Sequence, residues 1–157
     1  MSYLACLPSL LCGLALCVED VRHRRVPRPW VAAGSIAQIL AVVILALATN
    51  NAFLIVQTLL FAMLSAILQG VLALIRPGAM GFGDVTSTLV VGLAVGMYGL
   101  TAVVVWWLAM GLAGLAWMAL WLRFDPQRKT VYHDKVPFVP VIVMAGVIAV
   151  ACVAIWG

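Results

Sequence analysis

The sequence predicts an all-α fold, a polytopic membrane protein with about six transmembrane helices. Of its 157 residues, 66% are hydrophobic and only 9% are charged, whereas soluble domains carry about 25% charged residues. The mean hydropathy is +1.20. Short polar segments separate apolar runs, and most of these runs reach the roughly 17–25 residues that a helix needs to cross a bilayer. These features exclude an ordinary soluble domain.

Six apolar runs are predicted to form the spans. They cover about residues 2–18, 30–48, 52–75, 85–97, 100–122 and 136–156. The fourth run is short and the first is marginal, so both are expected to cross only with tilt or local thinning of the bilayer. The first run lacks a basic leading segment and an A-x-A-like cleavage site, so we interpret it as a retained span and not as a signal peptide. Four cysteines lie in these runs without a C-x-x-C pair and are interpreted as small apolar helix residues: Cys6, Cys12, Cys17 and Cys152.

The charged residues lie on one side of this predicted bundle. The second and fourth loops carry no charge. All Lys and Arg residues fall in the first, third and fifth loops: Arg22, Arg24, Arg25, Arg28, Arg76, Arg123, Arg128, Lys129 and Lys135. The acids sit in or beside the same loops: Glu19, Asp20, Asp84, Asp125 and Asp134. The positive-inside rule predicts that these loops are cytoplasmic and that both termini are outside. The net charge of +4 is thereby explained by topology and by contact with anionic membrane lipid, and no nucleic-acid partner is predicted.

The stretch Met80-Gly81-Phe82-Gly83-Asp84 places a carboxylate at the mouth of the fourth span, behind two glycines. A charge in hydrocarbon is unfavourable by roughly 2.5–3.5 kcal/mol at a helix centre and by less near the interface. Asp84 could simply cap the helix that starts there, since Asp is a favoured N-cap. A cap needs no flanking glycine, however, and Gly81 and Gly83 would let another backbone approach closely or would allow positive φ. The pattern therefore favours space for a substrate chain.

Asp20 ends the first span on the same predicted side as Asp84. Two close carboxylates share a proton more easily than they both ionise. One can then activate a water while the other protonates or polarises a scissile carbonyl, as in aspartic proteases. The alternative for Asp20 is a solvated helix-end acid, although the helix dipole disfavours an acid there. Glu19 faces about 100° away on a helix and is expected to contact Arg22 or Arg24.

Other features are assigned more ordinary roles. Gly92 and Gly96 form a G-x-x-x-G pair, a pattern typical of close helix packing, which could bring the fourth span against the first. His23 and His133 are distant in sequence, and no His, Cys or carboxylate cluster has metal-ligand spacing, so no metal site is predicted. The polar segment 123–135 is either a connector or a substrate-contacting loop.

Three motifs resemble those of the type IV prepilin peptidase family. Asp20 followed by Val26-Pro27 resembles the D-x5-I-P-N element, and residues 81–84 resemble the G-x-G-D element. Residues 135–140, which include Pro137, resemble the I-P-F-x-P stretch that opens the last helix of the family. The order and spacing of the three motifs agree with the family across most of the chain.

The resemblance implies a membrane-embedded aspartic endopeptidase that removes the leader from prepilin or pseudopilin substrates at the cytoplasmic face of the inner (plasma) membrane. It implies that Asp20 and Asp84 are the catalytic pair. No cofactor and no metal are expected, because no cluster of ligand residues is visible in the sequence. Homo-oligomer formation is left open. The residues expected to bind substrate or shape the site are Gly81, Phe82, Gly83, Pro27, Thr86 and Pro137.

The chain departs from the family pattern at two positions. Arg28 stands where the family usually has Asn, and Thr86 stands where it has Lys, which puts the choice of substrate in doubt more than the reaction. Larger members also carry a cytoplasmic methyltransferase domain with paired C-x-x-C motifs. Residues 1–157 are instead expected to form a single transmembrane peptidase domain without that domain, similar to the short forms that serve tight-adherence (Flp-type) pili.

Other functions stay open from the sequence alone. A presenilin-like peptidase shares G-x-G-D but has Tyr before the first acid, where this chain has Glu19. A non-catalytic membrane assembly factor or a small transporter with an acidic pair is a further alternative. A transporter should place its acids near the bilayer midplane, whereas both acids here fall at its predicted edge. Removal of a prepilin leader would distinguish the peptidase from these alternatives.

Overall fold

The computed structural model describes residues 2–75, 81–124 and 136–156, and these residues form helices and short connections without any strand. A short 3₁₀ helix, Ser2–Cys6, leads into α1. The α-helices are α1 (Leu7–His23), α2 (Arg28–Ala48), α3 (Phe53–Ile75), α4 (Phe82–Gly96), α5 (Leu100–Phe124) and α6 (Val139–Trp156). Five of these helices are long and apolar enough to cross a membrane, when α1 is counted with its 3₁₀ extension, and α4 is shorter at 15 residues. The prediction of a polytopic all-α protein is confirmed.

Two helix ends differ from the predicted ones, and both changes affect the acids. The first span was expected to end near Val18, but α1 continues through Asp20 to His23. Basic residues in its last turn favour this extension because they complement the negative end of the helix dipole. α4 begins at Phe82 rather than at Val85, so Asp84 lies inside its first turn. Both acids are therefore held on helical backbone.

α4 is the central helix of the bundle. It contacts each of the other five helices, and every residue from 90 to 97 is buried. A helix surrounded by protein does not have to match the thickness of the hydrocarbon layer. Its central position therefore accounts for its shortness without the tilt or bilayer thinning that the sequence suggested.

The glycines of α4 pack against α3. A Cβ at Gly92 would lie 3.0 Å from the Cα of Ala62, and one at Gly96 would lie 3.0 Å from the carbonyl oxygen of Thr58. Small residues allow helix backbones to approach this closely. The expectation that this G-x-x-x-G pair brings the fourth span against the first is wrong. Gly13 of α1 packs mainly against α6 and also reaches α4, since a Cβ there would lie 3.0 Å from the Val143 side chain and 3.7 Å from the Val91 side chain.

Buried polar contacts fix the end of the bundle that lies away from the two acids. The Gln38 side chain accepts a hydrogen bond from the Ser9 N–H (3.0 Å) and donates one to the Ala5 carbonyl (2.8 Å). It thus satisfies backbone groups at the start of α1 that no helical partner reaches. The Gln57 amide donates to the Met97 carbonyl at 3.1 Å and so caps the end of α4. These contacts hold α1 and α4 in a fixed relation to α2 and α3.

Candidate active site

Two carboxylates, Asp20 of α1 and Asp84 of α4, line one cleft at the end of the bundle where α1 ends and α4 begins. The cleft has a volume of about 360 Å³. The two acids are close enough for their charges to interact. The lining comes from α1, the α1–α2 loop and the start of α4: Asp20, Arg24, Val26, Arg28, Gly81, Phe82, Gly83, Asp84 and Thr86. Residues far apart in the sequence thus meet at one site, as the expected pairing requires.

Asp20 is buried, with 8% of its surface exposed, and it is tied to α6. Its Oδ2 accepts a hydrogen bond from the Val139 N–H at 3.2 Å, and the Phe138 N–H contributes a second bond. These N–H groups stand at the start of α6, where the helix leaves donors unsatisfied and the dipole favours a negative charge. Asp20 therefore caps a helix other than its own, and this bond orients its carboxylate.

Asp84 caps its own helix from the third helical position. Its Oδ2 accepts the Gly81 N–H at 2.9 Å, and its backbone N–H donates to the Gly81 carbonyl at 3.0 Å. The capping interpretation is thus correct in part, although Asp84 is not the N-cap residue itself. The cap engages one carboxylate oxygen and holds the half-buried side chain at the cleft.

The two glycines have different surroundings. A Cβ at Gly83 would lie 2.6 Å from Cγ2 of Val26 in the α1–α2 loop. The space at Gly83 that was expected for a substrate is therefore occupied by Val26. A Cβ at Gly81 would meet Asp84 only at 3.8 Å, so this glycine borders open space. Gly81 has φ −88° and Gly83 is helical, so neither residue needs positive φ. The close approach at Gly83 brings the first turn of α4 against the loop that follows Asp20.

The remaining predicted site residues divide into those at the cleft and those behind it. Thr86 lines the cleft and donates its hydroxyl proton to the Gly83 carbonyl at 2.9 Å. Phe82 is 73% exposed at the rim and offers an apolar contact surface. Pro27 is the N-cap of α2 and lines a neighbouring depression. The Pro137 carbonyl accepts the indole N–H of Trp117 at 2.8 Å. This bond fixes the residue just before Phe138 and Val139, whose N–H groups bind Asp20.

Arg24 is a cleft residue whose place sequence reasoning missed. It ends α1, its backbone N–H donates to the Asp20 carbonyl at 3.0 Å, and its guanidinium lies near the Asp20 side chain. Its spacing of four residues from Asp20, which puts both on one helix face, was the available signal. Glu19 was expected to contact Arg22 or Arg24, but it pairs with His23 at 2.6 Å instead.

Several sequence-level expectations concern residues outside the described ranges. These are Met80, Arg76 of the third loop and, from residue 125 onward, the connector or substrate-contacting role of segment 123–135. Across the ranges that are described, no group of three His, Cys, Asp or Glu side chains is arranged to hold a metal ion.

Comparison with known proteins identifies the family. The model of the type IV leader peptidase family, Peptidase_A24, matches residues 7–155, nearly the whole chain. No curated protein and no solved structure gives a significant match. The family match agrees with the three motifs quoted above and implies a peptidase. The chain therefore belongs to the type IV leader peptidase family.

Proposed function

We propose that this chain is an aspartic endopeptidase that removes the leader peptide from prepilin or pseudopilin substrates, with Asp20 and Asp84 as its catalytic pair. The observation that carries the proposal is the meeting of these two carboxylates in one cleft, close enough for their charges to interact. Both are held by backbone N–H groups of helix termini. A fixed acidic pair is the arrangement that aspartic proteolysis requires.

The proposed reaction is a general acid–base hydrolysis. One carboxylate removes a proton from a water molecule, and the resulting hydroxide attacks the carbonyl carbon of the scissile peptide bond. The other carboxyl donates its proton to the carbonyl oxygen. The tetrahedral intermediate then breaks its C–N bond as the first carboxyl gives the proton it took from water to the amine nitrogen, while the second takes a proton back from a hydroxyl of the intermediate. Because the helix termini already orient both side chains, little reorganisation is needed when the substrate arrives.

The substrate is proposed to enter as an extended segment next to a hydrophobic helix. A helical segment hides its carbonyl groups in i→i−4 hydrogen bonds, so the scissile bond must lie outside the helix. The cleft lies at the end of the bundle that carries the charged first loop, which the positive-inside rule assigns to the cytoplasm. Exposed Phe82 would contact an apolar residue of the substrate. Cleavage after a Gly follows from the family resemblance.

Arg28 and its neighbours affect which leaders are accepted. Arg28 lines the cleft, and Arg22 and Arg25 stand exposed in the same turn. Like charges repel over about one Debye length, roughly 8–10 Å at physiological ionic strength. A strongly basic leader is therefore expected to be cut more slowly than a weakly basic one, and added salt should narrow the difference.

Co-expression with prepilins from the same genome tests the proposed function. Wild type should shorten the prepilin by its leader, and Asp20→Asn or Asp84→Asn should leave it uncut. Loss of one acid–base partner typically lowers a rate by about 10²–10⁴-fold. Glu19→Gln is the matched control, because Glu19 precedes Asp20 but pairs with His23. Uncut prepilin with wild type, or pilus assembly supported equally by both Asp variants, would favour an assembly factor.

A further inference from the structure

Arg24 occupies an unusual backbone conformation beside the acid pair. It has φ 53° and ψ 39°, the left-handed region, which costs a residue with a Cβ roughly 1–2 kcal/mol. Glycine is the usual residue at such helix ends. In the described ranges the other non-glycine residue with positive φ is Asn50, and Asn tolerates this region well. A non-glycine residue keeps this conformation only where its surroundings hold it, which points to the contacts of the Arg24 side chain.

The side chain of Arg24 begins a series of contacts that runs through α5 and α6 and ends at Asp20. Its guanidinium carbon lies 4.9 Å from the ring centroid of Trp121 on α5, a cation–π distance. Trp121 packs on Trp117 with ring centroids 5.6 Å apart. Trp117 donates to the Pro137 carbonyl at 2.8 Å, and the first N–H of α6 returns to Asp20. α1, α5 and α6 are thereby joined around a single carboxylate.

The surroundings of the two acids are not equivalent. Asp20 accepts N–H groups from the start of α6 and lies near the Arg24 guanidinium. Asp84 accepts the Gly81 N–H. The repulsion between the two carboxylates acts on both of them and does not distinguish one from the other. A cation near a carboxylate and hydrogen bonds to it both favour the ionised form. The negative charge of the pair is therefore better stabilised on Asp20 than on Asp84.

Few other ionisable groups in the described ranges face Asp20. On α5, the neutral ring of Trp121 contacts Arg24 and Trp117 contacts the Pro137 carbonyl, while α6 contributes N–H groups to Asp20. α1, α2 and α4 contribute the remaining groups: Cys17, Arg24, Arg28 and Asp84. The Trp121 ring holds the Arg24 guanidinium in place, whereas Arg28 is exposed at the cleft rim.

We propose that Arg24 is a positioning residue that holds Asp20 as the ionised, water-activating member of the pair and leaves the shared proton on Asp84. This inference rests on the proposed peptidase function. Asp84 then donates its proton to the carbonyl oxygen, and Asp20 accepts a proton from water. When the C–N bond breaks, Asp20 gives that proton to the amine nitrogen and Asp84 takes a proton from a hydroxyl of the tetrahedral intermediate, so the pair returns to its starting state.

The test compares Arg24→Asn, Arg24→Lys and Arg25→Asn in the full-length protein. Asn removes the charge but tolerates the left-handed backbone, so the thermal unfolding midpoint of Arg24→Asn should stay near that of wild type. Lys keeps the charge. Arg25→Asn is the matched control, because it removes one charge from the exposed neighbouring residue. The pH dependence of kcat/KM is measured with a purified prepilin.

Arg24→Asn should move the acid limb of the pH profile upward by about 1 pH unit, since a neighbouring arginine shifts a carboxyl titration by about 1–3 units. Arg24→Lys should restore most of the wild-type limb. In Arg25→Asn the acid limb should stay at the wild-type pH, although kcat/KM for a basic leader should rise. An active Arg24→Asn enzyme with the wild-type acid limb would overturn the inference. If Arg24→Asn does not fold, Trp121→Leu replaces it and should move the limb in the same direction by a smaller amount.

An infrared titration of the substrate-free protein separates this inference from the proposed function. The carbonyl stretch of a protonated carboxyl group should appear at mildly acidic pH and should disappear in Asp84→Asn. In Arg24→Asn, protonation of the second carboxyl should begin at higher pH than in wild type. These results would support the role of Arg24 even if no prepilin were cut. A band that survives in Asp84→Asn, or a titration unchanged in Arg24→Asn, would contradict it.

Discussion

Gly83→Ala should lower turnover because the contact between Gly83 and Val26 sets how closely α4 approaches the α1–α2 loop. The added Cβ would lie 2.6 Å from Cγ2 and 3.0 Å from Cβ of Val26, whereas carbon atoms pack best at about 3.5–4.0 Å. The first turn of α4 must therefore retreat by about 1 Å, or Val26 must move by that amount. Overpacking of this kind costs about 1–3 kcal/mol of stability.

The retreat would carry Asp84, the next residue, away from Asp20. A misplacement of about 1 Å can reduce a rate by about 10²-fold, so kcat should fall by about that factor while KM changes little. The larger Gly83→Val change should be more severe. The assay is steady-state cleavage of purified prepilin, followed by separation of the mature and precursor forms.

A compensating substitution at Val26 tests whether the contact with Gly83 positions the acids. Val26→Ala removes Cγ2, the atom nearest to the added Cβ, but keeps the Cβ of residue 26, which would lie 3.0 Å from it. The double variant Gly83→Ala/Val26→Ala should therefore recover only part of the lost kcat. Gly111→Ala is the control, because nothing lies within 4 Å of a Cβ at Gly111. Gly83→Ala with wild-type kcat, or a double variant no better than the single one, would show that this contact does not position the acids.

Three further predictions concern topology, packing and metal dependence. Cysteines placed at Asn50 and Arg25, in a background without the native cysteines, should be labelled from opposite sides of the membrane, and labelling from one side would refute the predicted orientation. Gly92→Leu should lower the thermal unfolding midpoint because its Cβ would lie 3.0 Å from the backbone of α3 and overpacking costs about 1–3 kcal/mol; Gly111→Leu should not. Prepilin cleavage should continue in the presence of a strong chelator, since acid–base hydrolysis by two carboxylates uses no Lewis acid, and activity that is lost there and restored by zinc would contradict the mechanism.

The sequence was sufficient for the features that depend on local composition. Apolar run length predicted the helices, and the G-x-G-D and D-x5-V-P patterns singled out the two acids that meet in the cleft. The ends of α1 and α4 were less predictable. Asp20 continues its helix and caps α6. The residues next to Asp20 in the sequence do not indicate this hydrogen bond, because its donor, the Val139 N–H, is distant in the chain.

Contacts between helices account for what could not be predicted. Small residues at Gly92 and Gly96 indicate that some helix packs closely there, but they do not identify α3 as that helix. The space left by Gly83 likewise says nothing about which atoms fill it, and Val26 does so from a different segment. The contact of Arg24 with Trp121 depends on the relative rotation of α1 and α5, which no local pattern encodes.

Kinetic comparison of single and double Asp variants tests most directly whether Asp20 and Asp84 form one catalytic centre. The measurement is kcat/KM for prepilin cleavage by wild type, Asp20→Asn, Asp84→Asn and the double variant, each purified at full length. Residues that act as a unit show strongly non-additive losses. Each single variant should therefore lose at least about 10²-fold, and the double variant should be scarcely worse than either. Multiplicative losses, or a single variant with near wild-type kcat/KM, would contradict the account.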